Sequence, residues 1–447
     1  MLKLHRKWSV LALLLIASIL LAACGGVRGD SWAGISSNGE QTTLGDTIFV
    51  SYNQRVMALN AATGKRLWEY PGKDDRDSKF FAIPVVDQAN ETVYVGDFKG
   101  RLHAINTVDG KVRWIYTPPK GDKIGPLSTT PDDRIISGVA LSEDKIFYGL
   151  ASRNVVALPR SSTQPDDAIW TFETDHGVWG TPLYVPAQDD RPAMLYVVSL
   201  DHFFYALNPE TGGEVWKLDM KSAAPGSVTY DARHNWAYIG TLGEGLLLVD
   251  LNAQKILSSF ETEGWVWGGP IIEAPAGEII PNTDQAAETS AAAATAEPEP
   301  TAEPTPEATD EPAETDTPQS DRLYFGDLNG YLYAVSVSDT GAFTTLWKKQ
   351  LSEEPIRATP ALTPGSDGLV IVGSKNKRIY AFAKDNGTKQ WEQTTKGDVL
   401  TDLVLVPSDP ENSDAPLLVI AGTSESEELV VAYNIETGKR DWDYSDK

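Results

Sequence analysis

Short apolar runs alternating with polar residues recur along this chain, separated by glycine and small polar residues. The phrase "VYVGDFKGRLHAINTVDGKVRW" at Val93 to Trp114 returns as "IFVSYNQRVMALNAATGKRLW" at Ile48 to Trp68 and as "LYVVSLDHFFYALNPETGGEVW" at Leu195 to Trp216. The period of two, with β-branched and aromatic residues on alternate positions, predicts strands joined by tight hairpins rather than helices. Each unit contains two such runs, a turn, and a third run ending in an aromatic. In "AATGKRLW", "TVDGKVRW", "PETGGEVW" and "IETGKRDW" the glycines Gly64, Gly110, Gly212 and Gly438 stand where a left-handed backbone costs least. A further strand precedes the units, around Pro84, Pro182, Pro270 and Pro360. Proline is awkward in a central ladder, so these strands are predicted to be innermost, with the proline at the start and facing an axis.

The closing aromatics fall at Trp68, Trp114, Trp170, Trp216, Phe260, Trp347, Trp391 and Trp442, with successive gaps of 46, 56, 46, 44, 87, 44 and 51 residues. The long gap holds residues 281–320, a stretch with ten acidic residues, seven prolines and no lysine, arginine or aromatic. Such a composition cannot bury enough surface to fold, and it reads as a disordered, solvated bristle leaving a loop tip. Removing its 40 residues turns 87 into 47, and the irregular gap joins the series. Four strands in roughly 48 residues, repeated eight times, predict an all-β, eight-bladed β-propeller of four-stranded antiparallel blades interrupted by one disordered acidic insert. Because an open ring would leave exposed strand edges, its two ends are expected to be neighbours.

The pattern "VYVG…G.LYAL…TG…W" resembles the PQQ-like β-propeller repeat over about Ser31 to Lys447. That resemblance implies one of two kinds of protein. Quinoprotein alcohol dehydrogenases would bring a quinone, a calcium ion on carboxylate and amide oxygens, a catalytic aspartate, an aromatic floor and a vicinal cysteine pair. The pair is missing, because Cys24 is the chain's single cysteine. The BamB-type lipoproteins of outer-membrane protein assembly are bare propellers on a lipid, and the resemblance to them is the nearer one. Their partner-contacting residues have no motif that matches here, and the insert departs from their compact plan.

The N-terminus agrees with the lipoprotein reading. Lys3, Arg6 and Lys7 precede an apolar run of 16 residues from Trp8 to Ala23, shorter than the roughly 20 that cross a bilayer. Residues 1–23 read as a signal peptide. The sequence Leu21-Ala22-Ala23-Cys24 resembles the bacterial lipobox, which implies acylation of Cys24, a tether over residues 24–30 and a propeller over 31–447. The net charge of −25 becomes −28 without the signal's three positive charges, and −18 without the insert's ten negative ones. That excess argues against nucleic acid and anionic lipid as partners, leaving the N-terminal lipid as the membrane contact.

Candidate chemistry is sparse. His103, His176, His202 and His234 show no close metal-ligand spacing, and no nucleophile elbow or phosphate loop occurs. His103 in "RLHAIN" takes the place of Tyr333 in "YLYAVS" and Tyr380 in "RIYAFA", and reads as a packing residue; Trp114 and Trp216 read as packing between blades. The exceptions are Phe81, Trp179, Trp267 and Arg357, each three residues before an inner-strand proline, and Trp32, whose "SWAGI" matches "VWGTP". If those strands line the axis, these side chains ring one channel mouth as binding anchors. The resulting expectation is a monomeric, non-catalytic, extracytoplasmic scaffold for proteins or peptides on a membrane's extracytoplasmic face, with no metal or cofactor, and BamB-like envelope assembly is the role the resemblance implies. A cell-surface ligand-sensing or adhesion lipoprotein is the alternative, with a quinone-dependent dehydrogenase behind it.

Overall fold

The computed structural model describes residues 33–37, 46–72, 78–118, 133–161, 163–188, 191–275, 277–280, 320–365, 368–409, 412 and 415–446. Cys24, Trp32 and residues 281–319 of the insert lie outside them. Among the described residues no helix is long and apolar enough to cross a membrane.

The alternating runs form eight antiparallel sheets in chain order, spanning residues 34–70, 85–116, 140–173, 183–219, 229–260, 271–350, 361–394 and 404–444. These are the eight blades of a propeller. In each, the first strand lies nearest the axis, where the first strands of neighbouring blades meet. The second and third strands are almost wholly buried, as in Thr92–Gly96 and Leu102–Asn106 of blade 2. The fourth strand is the exposed rim, with Val112 of Val112–Tyr116 in solvent. Pro84, Pro182, Pro270 and Pro360 each stand immediately before an inner strand, as the sequence predicts. There the missing N–H interrupts no ladder.

The core lies between blades, and one residue trio builds most of its seams. In seven blades the closing tryptophan is paired across the sheet with an alanine, such as Ala104 with Trp114 and Ala334 with Trp347. The small alanine leaves room for the indole to lie flat against the next blade. Six of these indoles donate Nε1–H to a backbone carbonyl there, including Trp68 to Thr107 at 2.8 Å and Trp170 to Pro209 at 2.9 Å. The hairpin glycine completes the fit. Gly110 has φ 69°, and a Cβ there would sit 2.7 Å from the Trp68 ring. The glycine is therefore fixed twice, by backbone angle and by its neighbour's tryptophan. Burying each large aromatic contributes roughly 2–3 kcal/mol by area.

Blade 5 corrects the aromatic series. Ser258, not Phe260, holds the tryptophan's place in the ladder, opposite Leu248 instead of alanine. Leu248 restores the missing volume, and the Ser258 hydroxyl donates to the Gly341 carbonyl at 2.6 Å in place of an indole N–H. A Cβ on Gly341 would meet Leu257 and Leu248 rather than a tryptophan.

The ring closes without exchanging a strand. Blade 1 and blade 8 are each complete, and side chains seal the seam between them. Trp442 donates to Ala61 O at 3.1 Å, Thr401 to Ala33 O at 2.8 Å, and Arg55 pairs with Asp446 at 3.1 Å.

Blade 6 departs from the four-stranded plan. After the inner strand Ile271–Glu273 the chain turns back into a two-residue strand, Ile279–Ile280, which pairs along that strand's other edge. The sheet has five strands, and the extra one lies on the axial side, close to the inner strand Thr229–Asp231 of blade 5. Ile279 and Ile280, the last described residues before the insert, thus lie beside the axis.

Candidate functional site

The starts of the inner strands of blades 4, 5, 6 and 7 converge at one mouth of the channel. Their sequences are "WGTP" from Trp179, "PGSV" from Pro225, "WGGP" from Trp267 and "RATP" from Arg357. Gly180 and Gly226 have no side chain because none would fit: a Cβ on the first would strike the Gly226 carbonyl, and on the second the Trp267 carbonyl. Hydrogen bonds fasten these starts to one another, Gly269 N–H to Ser227 O at 3.0 Å and Thr181 N–H to Ser227 Oγ at 2.9 Å.

Since blade 5 contributes only Pro225 and Gly226 here, the tryptophans of blades 4 and 6 meet across it. Their ring centroids are 6.2 Å apart at 39°. The Arg357 guanidinium lies over the Trp267 ring, 4.7 Å from its centroid. All three side chains are half-buried. Arg357 Nε is buried without an acceptor, and no carboxylate pairs with this arginine among the described residues. Trp265, two residues before Trp267, is 56% exposed, while Val266 between them is sealed in the seam. The W-V-W alternation of "GWVWGG" carries that signal, although the proline offset does not pick out Trp265.

Phe81 occupies the same offset in blade 2 and has a different fate. It is 8% exposed, with its ring 4.9 Å from Phe98 and edge-on to Tyr52 at 6.4 Å. It is part of the seam between blades 1 and 2, so the predicted ring of anchors reduces, among the described residues, to the arc Trp179, Trp267 and Arg357. Trp32 lies outside those residues.

His103 and the buried acidic clusters among the described residues are absorbed by architecture. His103 Nε2 is 3.2 Å from Asp97 Oδ2, where Tyr333 reaches Asp327 at 2.8 Å and Tyr205 reaches Asp201 at 2.7 Å. It replaces a tyrosine in a recurrent contact, as its position in "RLHAIN" suggests. Burial pushes the Asp97 carboxyl up, but the hydrogen bonds from His103 and from the Arg101 backbone hold it below the usual range. At the opposite face, Glu273 and Lys384 form a buried pair between blades 6 and 7.

Asp231, His234 and Asp321 are the described group with metal-ligand character. It lies where inner strands end, at the face opposite the tryptophans. Arg233 already fills it, Nε 3.0 Å from Asp231 and Nη1 2.9 Å from Asp321. Burial raises the Asp321 carboxyl above its usual range despite that arginine. The guanidinium sits where a cation would, and the group serves the seam between blades 5 and 6.

The family described as outer membrane protein assembly factor BamB matches this chain over residues 32–201 and 313–447. BamB from Moraxella catarrhalis superposes with a TM-score of 0.55 at 16% identity, covering 89% of this chain and 96% of that one. Sqt1 of Saccharomyces cerevisiae superposes with a TM-score of 0.56 at 12% identity, over 88% and 94%. At these identities the likeness is one of fold. A quinoprotein ethanol dehydrogenase of Pseudomonas putida is 26% identical over 226 residues, which span 46% of this chain but 35% of that enzyme.

Proposed function

The chain belongs to the family described as outer membrane protein assembly factor BamB, and from that premise we propose that it is a non-catalytic scaffold that binds proteins or peptides in the cell envelope. Cys24 is its point of lipid attachment, on the extracytoplasmic face of a membrane. The observation that carries the reading is the arc of Trp179, Trp267 and Arg357. It presents two indoles and a guanidinium whose Nε has no acceptor and which no carboxylate pairs among the described residues, at one mouth of the channel. Aromatics and arginine are the residue types that concentrate binding energy at protein interfaces.

Crosslinking and pulldown from native envelopes test this, with an insert-deleted chain as control. Trp179→Ala and Trp267→Ala are expected to lose partner capture while melting near the parent temperature. Unchanged capture in both would remove the mouth from the proposal.

The similarity to quinoprotein dehydrogenases favours a second reading, in which a quinone and calcium occupy the propeller. The residues described here do not fit that pair. The candidate carboxylates Asp231 and Asp321 are held by Arg233 at the face away from the tryptophans, and the chain's one cysteine precludes a vicinal pair. Incubation with the quinone and calcium is expected to give no dye reduction with alcohols. Turnover would overturn the non-catalytic assignment.

A further inference from the structure

Arg357 is the least expected group in the mouth. In a chain this acidic, a buried arginine can be expected to find a carboxylate, as Arg160 does when it grips Asp87 through two nitrogens. The Arg357 guanidinium lies over the Trp267 ring, and no carboxylate among the described residues takes its N–H groups, Nε included. A planar fork fixed on an aromatic suits the two oxygens of a carboxylate.

The axis below decides how a ligand reaches it. The strand Ile279–Ile280 lies on the axial edge of Ile271–Glu273, beneath the start at Trp267, and abuts the inner strand of blade 5. It takes up space beside the axis on the side of blades 5 and 6, which favours a segment that ends at the mouth over one that threads through. An entering chain end meets Arg357. The cation repels an α-ammonium group and attracts an α-carboxylate.

Resting on the scaffold reading above, we infer that the mouth holds the free C-terminal carboxylate of an extended partner segment, with the carboxylate on Arg357 and the last apolar side chain against Trp179 and Trp267. Chain-end carboxylates are a recognised handle for peptide capture. The occupant is a chain end, and an acidic side chain within a continuous segment is the competing source of the same group.

The test uses the full propeller and hexapeptides of alternating alanine and leucine carrying an N-terminal coumarin, followed by fluorescence anisotropy. One peptide ends in a free carboxylate, one is amidated, and one is amidated with glutamate at its third position. The free acid is expected to bind at least about tenfold more tightly than either amide. Arg357→Gln should abolish the difference and Arg357→Lys should restore part of it, with all variants melting near the parent. Equal binding of acid and amide, both lost in Trp267→Ala, would overturn the chain-end assignment and leave the scaffold reading standing. Preference for the internal glutamate would overturn it in favour of a side-chain ligand. Binding of no peptide would also reject it, and binding indifferent to every mouth substitution would reject both readings.

Discussion

Arg160 and Arg357 are the same residue in two parts of one ring, and they show what separates a seam from a site. Arg160 reaches from blade 3 to Asp87 of blade 2 at 2.6 and 2.7 Å and gives its remaining nitrogen to the Ser142 carbonyl at 2.7 Å. Arg357 has a ring beneath it and no acceptor for Nε. Their surroundings differ in the same way. The Trp114 indole beside Arg160 is 3% exposed and bonded to Ser161 O at 3.0 Å, whereas Trp179 and Trp267 are half-buried and face each other with ring centroids 6.2 Å apart. Groups that complete one another inside the protein hold blades together; groups left incomplete at a concave opening are available to a partner.

The sharpest way to break this contrast is to truncate one tryptophan on each side of it. Trp114→Ala is expected to cost about 3–5 kcal/mol, because it removes a buried indole that no neighbour can replace. Trp179→Ala should cost less, about 1–2 kcal/mol, since its side chain is only half-buried. Urea unfolding compares the two directly, and equal losses would erase the distinction between seam and mouth.

The arginines give the next comparison, together with its pH dependence. Arg160→Met leaves Asp87 buried without its cation, at an expected cost of about 3–5 kcal/mol at neutral pH. Burial pushes the Asp87 carboxyl up, but the hydrogen bonds from Arg160 and Asn90 and the Arg160 charge bring it net below its usual range. A depressed carboxyl stabilises the fold above its unfolded value of about 3.9 and ceases to do so as pH falls through the native one. The parent should therefore lose stability in acid and converge towards the variant below about pH 4. Arg357→Met, which removes a partly exposed cation from a ring, should cost about 0.5–1 kcal/mol, and with no carboxylate to release it should not converge. A gap for Arg160→Met that stays constant from pH 7 to pH 3.5 would show that the ion pair is not its source.

What the sequence makes legible follows from how local each feature is. The eight units, the inner-strand prolines and the hairpin glycines are readable because each repeats with a fixed offset. The seam partners are not, because the alanine opposite each tryptophan and the glycine beneath it come from different strands and blades. Phe260 shows the cost of that. It is the last aromatic of its unit, but the ladder assigns the seam to Ser258, with Leu248 supplying the bulk. Phe81 shows the same for the site. Its offset from Pro84 equals that of Trp179 from Pro182, and only Tyr52 and Phe98, brought from other strands, reveal that it is enclosed. The two-residue strand Ile279–Ile280 is too short to carry a period, so its place beside the axis had no signal.

Two smaller substitutions sharpen the contrast at the mouth itself. Gly226→Ala would place a methyl group against the Trp267 carbonyl and the Gly268 backbone, atoms that cannot turn aside. The expected cost is about 1–3 kcal/mol of overpacking. The shift of Trp267 should also weaken peptide binding, so loss of stability without loss of binding would mean that the glycines serve only the seam. Phe81→Leu should cost less than about 1.5 kcal/mol, since the leucine keeps most of the volume between Tyr52 and Phe98. Because Phe81 is enclosed, capture at Trp179 and Trp267 should be unchanged in that variant. If Phe81→Leu weakened capture as strongly as Trp267→Ala at so small a cost in stability, the mouth would extend past the arc of blades 4 to 7, and enclosure would no longer mark where the site ends.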